Sequence, residues 1–225
     1  MAIRHRQNFR NRNFLTREEA KKELDKVILI ACEGVATEPN YIKDLVRFKR
    51  NNFGECKNIK VVFTSHTHSD PFGVLNDLLS DQSYRDADEK WIIIDRDPEE
   101  NFGKGAAGHT EENFKQAIDT AKKLGIKVAW SNPCFELWIV LHFIFRDTSV
   151  TRQDIQRKAL ELLKKNGILT INDKINNMKS CPNLYERLNI FINKAIENAS
   201  KLAANNKDSF ENPCTLIYEL IESLK

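Results

Sequence analysis

The segment WIIIDRD, residues 91–97, places four large apolar residues directly before two aspartates that are one residue apart. A short apolar run rich in β-branched residues, with no polar alternation, is typical of a strand that is buried on both faces of a parallel sheet. Asp95 and Asp97 therefore stand at the carboxyl end of such a strand. Ligands bind at this end of the strands in open α/β sheets, so the segment bears on both fold and function.

Other apolar runs in the chain have the length of buried strands, and segments with helical spacing of apolar residues separate them. The strand-like runs are VILIAC (residues 27–32), IKVVFTSH (59–66) and IKVAWSN (126–132). The helix-like segments are residues 38–50, 71–82 and 111–124. Strands that alternate with helices predict an α/β fold, with a mostly parallel four-stranded sheet flanked by helices.

The composition divides the chain into three parts. Residues 1–26 are interpreted as a basic N-terminal arm with a lead-in helix, and residues 27–150 as the α/β core. No strand-like run follows residue 150, and apolar residues at helical spacing predict a helical C-terminal region, residues 151–225, packed on that core. A chain of 225 residues with 41% apolar composition is long enough for one sizeable core.

The charge and cysteine content limit the classes of protein to which the chain can belong. The net charge of +3 neither demands nor excludes a polyanionic partner. Five scattered cysteines without a CxxC pair argue against zinc and favour a reducing, cytoplasmic setting. No apolar run is long enough to span a membrane or to serve as a secretion signal, so no membrane association is expected.

The N-terminal arm combines arginines with aromatic residues and contains no acid before residue 18. Solvated terminal charge is the common explanation for such a run. The alternative is contact with nucleic acid, because arginines bind phosphates and aromatic rings stack on bases. The arginines are Arg4, Arg6, Arg10, Arg12 and Arg17.

Glu33 directly follows the first predicted strand, as Asp95 and Asp97 follow the third. If these strands are neighbours, about 4.8 Å apart, the three carboxylates meet at one edge of the sheet. Each pair of such charges repels by about 3 kcal/mol at an effective dielectric near 20. A shared proton, a nearby lysine or arginine, or a divalent cation can offset this repulsion. An all-oxygen cluster suits Mg²⁺ or Mn²⁺, whereas aspartates that only cap a turn are the structural alternative.

Further candidate residues surround these acids in the sequence. Glu136 begins the apolar segment ELWIVLHF, where it is either a site residue or a first-turn acid favoured by the helix dipole. His142 in the same segment is expected to be a core histidine. Arg96, between the aspartates, and Lys104, in the glycine-rich loop at 102–110, are expected to contact nucleic acid, although a surface loop without ligand is equally compatible with the sequence.

Several segments resemble a known family. The glutamate after the first strand and the DxD after the third resemble the Toprim domain of topoisomerases, primases and OLD-family nucleases. The segments EGVATEPNY, IIIDRD, SNPCFELWIVLHF and NPCTLIYELIESL resemble more closely the RloB-like family. These are Toprim-like proteins encoded near restriction and abortive-infection genes of bacteria and archaea.

The resemblance implies a function and assigns roles to residues. It implies a Mg²⁺- or Mn²⁺-dependent nuclease that hydrolyses DNA or RNA in antiviral defence, with Glu33, Asp95 and Asp97 as catalytic metal ligands. Glu38 matches a second acid that helps to hold a second metal in related nucleases. A separate ATPase from the same locus is a further expected partner. The alternative is a Toprim-like regulator that binds nucleic acid or a partner without turnover.

Overall fold

The computed structural model describes residues 26–56, 58–97 and 110–224. The N-terminal arm and most of the glycine-rich loop lie outside these residues. The predicted roles of the arm arginines and of the loop lysine therefore stay predictions. These residues are Arg4, Arg6, Arg10, Arg12, Arg17 and Lys104.

The described residues contain a five-stranded sheet with the strand order β2-β1-β3-β4-β5. The strands are β1 (Lys26–Cys32), β2 (Ile59–Phe63), β3 (Glu89–Asp95), β4 (Lys127–Asn132) and β5 (Cys214–Thr215). The first four are parallel, which confirms the predicted mostly parallel sheet. The prediction of no strand after residue 150 was wrong. The two-residue strand β5 pairs antiparallel with the end of β4 and is too short to produce a periodic signal.

Helices cover both faces of the sheet. They are α1 (Thr37–Phe53), α2 (Pro71–Ser80), α3 (Glu111–Lys123), α4 (Glu136–Leu141), α5 (Arg152–Lys165), α6 (Ile175–Lys179), α7 (Leu184–Leu188), α8 (Ile192–Asn206) and α9 (Ile217–Ser223). A short 3₁₀ turn at Asn189–Phe191 separates α7 from α8. No helix within the described ranges has both the length and the apolar character needed to cross a bilayer.

The alternating side chains of the buried strands supply two hydrophobic layers. Ile28, Ile30 and Ile93 belong to the larger layer, which contains α1, α4 and the helices after residue 150. Leu29 and Ile92 point to the opposite face and pack against α2 and α3. Central strands buried on both faces need apolar residues at successive positions, which is why the runs VILIAC and WIII lack polar alternation.

The boundaries of α1, α3 and α5 follow local sequence signals. Gly54 ends α1 with φ of 68°, the left-handed conformation that glycine adopts without strain. Thr110 caps α3, where its hydroxyl accepts a hydrogen bond from the N–H of Asn113 at 3.1 Å. Thr151 caps α5 in the same way, with the N–H of Asp154 at 3.2 Å. These caps fix the starts of two helices that lie beside the candidate site.

Candidate metal centre at the carboxyl ends of two strands

Glu33 and Asp95 meet where the neighbouring strands β1 and β3 end. The N–H of Glu33 donates to the carbonyl of Ile93 at 2.9 Å, which continues the β1–β3 ladder past the last residue of β1. The Glu33 carboxylate in turn accepts a hydrogen bond from the N–H of Asp95 at 3.0 Å. The pairing of parallel strands one and three thus brings together two acids that are 62 positions apart. The strand order on which the sequence argument depended is confirmed.

Asp97 reaches the same place by a different geometry from the one predicted. Strand β3 ends at Asp95, so the two aspartates are not residues i and i+2 of one extended strand. Asp97 has φ of 35°, a left-handed conformation, and its N–H donates to the carbonyl of Pro133 at 3.2 Å. A turn stabilised by the loop after β4 therefore carries the second aspartate, and both aspartate side chains are buried.

Arg152, the first residue of α5, is the cation shared by the two aspartates. Its guanidinium forms an ion pair with the Asp97 carboxylate through Oδ2, and its Nη1 lies 3.8 Å from Oδ2 of Asp95. The other oxygen of Asp97, Oδ1, is buried and has no hydrogen-bond partner within the described parts of the chain. An ionised carboxylate can accept on both oxygens, so Asp97 keeps a donor atom that a ligand can use.

Glu38 is the second residue of α1, and its carboxylate lies against the backbone of Gly34. A Cβ added at Gly34 would stand 2.2 Å from Oε2 of Glu38, so only glycine leaves room for this carboxylate. The Glu38 side chain is buried. Burial, and then the charges of Glu136 and Glu33, raise the pKa of Glu38 to about 7, while the charge of Arg152 lowers it.

Glu136 is the first residue of α4. It is 3% exposed, and its Oε1 accepts a hydrogen bond from the side chain of Gln156 at 3.3 Å. Its charge raises the pKa of both Glu38 and Asp95. A first-turn acid that only served the helix dipole would be expected at the surface. Its burial among other acids therefore favours a site role for Glu136.

Electrostatic coupling marks these acids as one cluster. Burial, followed by the charges of Glu33 and Glu38, raises the pKa of Asp95 well above its ordinary value. The charge of Arg152 opposes this shift. We call Glu33, Glu38, Asp95, Asp97 and Glu136 the acid cluster. The raised pKa values of Glu38 and Asp95 mean that these two carboxyl groups gain free energy from an added cation or proton.

The acid cluster supplies the donor atoms that a hard divalent cation prefers, namely carboxylate oxygens on a buried, rigid sheet edge. The unpartnered Oδ1 of Asp97 fits such a ligand. In the observed arrangement, however, no three acid, histidine or cysteine side chains of the described residues stand close enough together to hold a metal ion. Instead, the Asp97 carboxylate pairs with Arg152, and the Glu136 carboxylate accepts a hydrogen bond from Gln156. A metal bound by the acid cluster would have to replace these protein partners.

The other predicted residues have different positions. Arg96 is partly buried; its guanidinium lies 3.8 Å from Glu111 and over the ring of Phe114. His142 is fully buried, as predicted for a core histidine, and burial lowers its pKa to about 4. A ring nitrogen of His66 lies 2.8 Å from the carbonyl oxygen of Glu33, which places this histidine beside the cluster.

Sequence reasoning missed Arg152 and the role of Gly34. Arg152 stands at the start of a helix, where the dipole disfavours a cation. A basic residue directly after a threonine cap is therefore a signal that acids lie nearby. Gly34 follows the first site acid, and a glycine at that position is a signal for close approach of another group. Neither signal identifies the partner, which only the fold supplies.

Comparison with protein families supports the assignment that the segments suggested. The family model described as RloB-like protein matches residues 28–224. The match includes the whole acid cluster and Arg152. No curated protein and no solved structure matches the chain.

Proposed function

The chain belongs to the RloB-like family, and from this premise and the geometry of the acid cluster we propose that it is a metal-dependent nuclease. The observation that carries the proposal is the hydrogen bond from the Asp95 N–H to the Glu33 carboxylate, which joins the carboxyl ends of β1 and β3. The Toprim domain places its metal-binding acids at these two strand ends. The proposed setting is antiviral defence in bacteria or archaea, and the proposed substrates are DNA or RNA.

In this proposal Glu33, Asp95 and Asp97 hold Mg²⁺ or Mn²⁺, and Glu38 and Glu136 extend the ligand set. When bound, the cation supplies Lewis-acid stabilisation of the scissile phosphate and lowers the pKa of an attacking water. Glu33 serves as a ligand or moves a proton at the reacting oxygen. Asp95 and Asp97 are buried, and burial strengthens these electrostatic interactions.

The first experiment compares Asp95→Asn with the wild-type protein. Labelled single-stranded and duplex DNA and RNA are incubated with the full-length protein in Mg²⁺, Mn²⁺ or EDTA. The wild type is expected to cleave at least one substrate in the presence of metal, and Asp95→Asn is expected to lose at least a hundredfold in rate, in the range of a lost electrostatic group. Asp119→Asn, an exposed acid on α3, is the matched control and should cleave as the wild type does.

The competing proposal is a non-catalytic regulator of the same family that binds nucleic acid or a partner. The ion pair between Arg152 and the two aspartates favours it, because an internal cation occupies the acids that catalysis requires. This reading predicts binding without cleavage in every divalent cation. Metal-dependent product from the wild type that is absent with Asp95→Asn would exclude it.

A further inference from the structure

A cleft of about 490 Å³ adjoins the acid cluster. Two of its lining residues are chain neighbours of site residues, and a third follows a residue that pairs with one. Arg96 lies between the two aspartates, Thr151 precedes Arg152, and Asn132 follows Ser131, which pairs with Asp95 in the β3–β4 register. None of the five acids of the cluster lines the cleft itself, but residues next to them or to Arg152 in the chain do. Its size falls within the range of sites that bind small molecules or single units of a polymer.

Two buried polar atoms on the wall of this cleft lack partners. They are Oδ1 of Asn132, a residue 6% exposed, and Nε of Arg146; the described residues offer neither atom a hydrogen bond. Buried polar atoms are nearly always paired in folded proteins, and an unpaired one points to a strained, functional or ligand-binding position. One of these atoms is an acceptor and the other is a donor, so a ligand that satisfies both must present both kinds of group.

Hydrogen bonds fix the wall of the cleft in place. The side chain of Asn212 accepts from the N–H of Val150 at 3.1 Å and donates to its carbonyl at 2.8 Å. The Asn132 side chain donates to the carbonyl of Phe210 at 2.7 Å. These contacts hold the chain segments on either side of the cleft together. A preformed wall loses little conformational entropy when it binds a ligand.

The charges around the cleft exclude a simple anion as the best ligand. Arg96 and Arg146 contribute positive charge, but three carboxylates line the same walls. Carboxylates repel a bare phosphate, whereas they accept hydrogen bonds from sugar hydroxyls and from base amino groups. The acids are Glu111, Asp154 and Glu211.

An aromatic side chain completes this mixture of groups. Phe210 lines the cleft, is partly exposed, and packs edge-on against the ring of Trp130 at 5.4 Å. Aromatic side chains next to basic groups bind single-stranded nucleic acid by stacking on its bases. The cleft thus offers donors for a phosphate, acceptors for a base or sugar, and a ring for stacking.

We propose that this cleft binds one nucleotide of the nucleic-acid strand next to the scissile phosphate, with Arg146 contacting its phosphate and Asn132 Oδ1 accepting a hydrogen bond from its base. The inference rests on the proposed nuclease function for its position in the reaction. Binding itself requires no turnover. Nucleotides from DNA and from RNA share this chemistry, and the experiment distinguishes them.

The test measures binding of fluorescein-labelled single-stranded DNA and RNA oligonucleotides to the full-length protein in EDTA, by fluorescence anisotropy. Arg146→Gln removes the guanidinium, and Ser149→Trp places a large side chain at an exposed position on the cleft wall. Each variant is expected to weaken binding by about tenfold or more, and Arg146→Gln should reduce the salt slope by about one. The controls, Arg157→Gln and Ser80→Trp, alter exposed residues outside the cleft and should bind as the wild type does.

The outcomes separate this inference from the proposed function. If Arg146→Gln and Ser149→Trp both keep wild-type unfolding midpoints and wild-type affinity, the cleft is not the nucleotide site, even if the protein is a nuclease. If both variants lose affinity while no substrate is cleaved in Mg²⁺ or Mn²⁺, the cleft is supported and the nuclease proposal fails. A larger loss with RNA than with DNA, or the reverse, identifies the source of the nucleotide. Competition by millimolar inorganic phosphate that equals competition by a mononucleotide would also overturn the inference.

Discussion

Replacing Arg152 by glutamine tests whether this residue is the counter-charge of the acid cluster. Its Nη1 lies 3.8 Å from Asp95 and the guanidinium pairs with Asp97. At this distance and an effective dielectric near 20, one such attraction is about 4 kcal/mol before desolvation is counted. The Arg152 side chain is 23% exposed, whereas the aspartates are almost fully buried. We therefore expect Arg152→Gln to lower the free energy of unfolding by about 2–3 kcal/mol in EDTA, slightly below the range for a fully buried pair.

A divalent cation should reverse much of this loss, because it replaces the missing charge. A ligand present at a hundred times its Kd stabilises the folded state by about 2.7 kcal/mol. In the wild type the cation must first displace Arg152, so the gain from Mn²⁺ should be smaller than in Arg152→Gln. The difference in stability between the two proteins is expected to shrink to under about 1 kcal/mol in saturating Mn²⁺.

Urea unfolding followed by tryptophan fluorescence measures these quantities, since Trp91, Trp130 and Trp138 are buried. The matched control is Arg157→Gln on the same helix, which removes an exposed arginine paired with Asp154 and should leave the unfolding midpoint unchanged. Two results would refute the reasoning. One is an Arg152→Gln protein that is as stable in EDTA as Arg157→Gln. The other is a gain from Mn²⁺ that is no larger in Arg152→Gln than in the wild type.

Three further predictions concern other parts of the structure. Gly34→Ala would place a methyl group 2.2 Å from the Glu38 carboxylate and so displace this carboxylate. Isothermal titration calorimetry should then show a Mn²⁺ affinity reduced by about tenfold, with little change in the unfolding midpoint. An unchanged affinity would remove Glu38 from the ligand set. Burial lowers the pKa of His142 from 6.5 to about 4, so the unfolded state binds the extra proton as pH drops from 6.5 to 4. Because the raised pKa values of Glu38 and Asp95 act in the opposite direction, the measured quantity is the difference from His142→Gln: the wild type should lose about 3 kcal/mol more than this variant, and equal slopes would contradict the assignment. The Asp44 carboxylate accepts a hydrogen bond from the N–H of Glu186 at 3.0 Å, and this contact joins α1 to α7. Asp44→Ala should therefore lower the free energy of unfolding in urea by about 2 kcal/mol, and a loss near zero would show that the contact contributes nothing.

The proximity of the acids that end β1 and β3 was predictable, because pairing of the two strands follows from a simple sequence pattern. Two apolar runs that end in acids, with one strand–helix unit between them, place Glu33 and Asp95 together once the strands are parallel neighbours. The pattern fixes which residues stand at the strand ends, since side chains alternate and register follows the buried face. The short strand β5 and the 3₁₀ turn at Asn189–Phe191 had no comparable signal, because neither is long enough to show a period.

The geometry of Asp97 and the partner of the cluster were not predictable in the same way. The left-handed conformation of Asp97 depends on the carbonyl of Pro133, a contact between loops that local propensity does not encode. Arg152 comes from the region after residue 150, so its contact with the aspartates depends on how α5 packs against the sheet. Helices and strands can be predicted because their apolar residues recur with a regular period in the sequence. A single contact between side chains that are distant in the sequence leaves no such pattern.

The position of Arg152 bears on how the site can work. A cation at the start of a helix opposes the helix dipole, so its pairing with Asp97 must outweigh that cost. A neutral, well-packed residue pair would stabilise the same contact at least as well, because buried ion pairs contribute little net stability. In the proposed function this ion pair would be exchangeable: a metal ion would replace Arg152 at the aspartates, and a substrate phosphate would replace the aspartates at Arg152. Thr151, the neighbour of Arg152, lines the cleft, so in the proposed function a bound strand would reach the helix start that holds Arg152 on the aspartates. In the proposed nuclease, this exchange would couple nucleic-acid binding to the opening of the acid cluster.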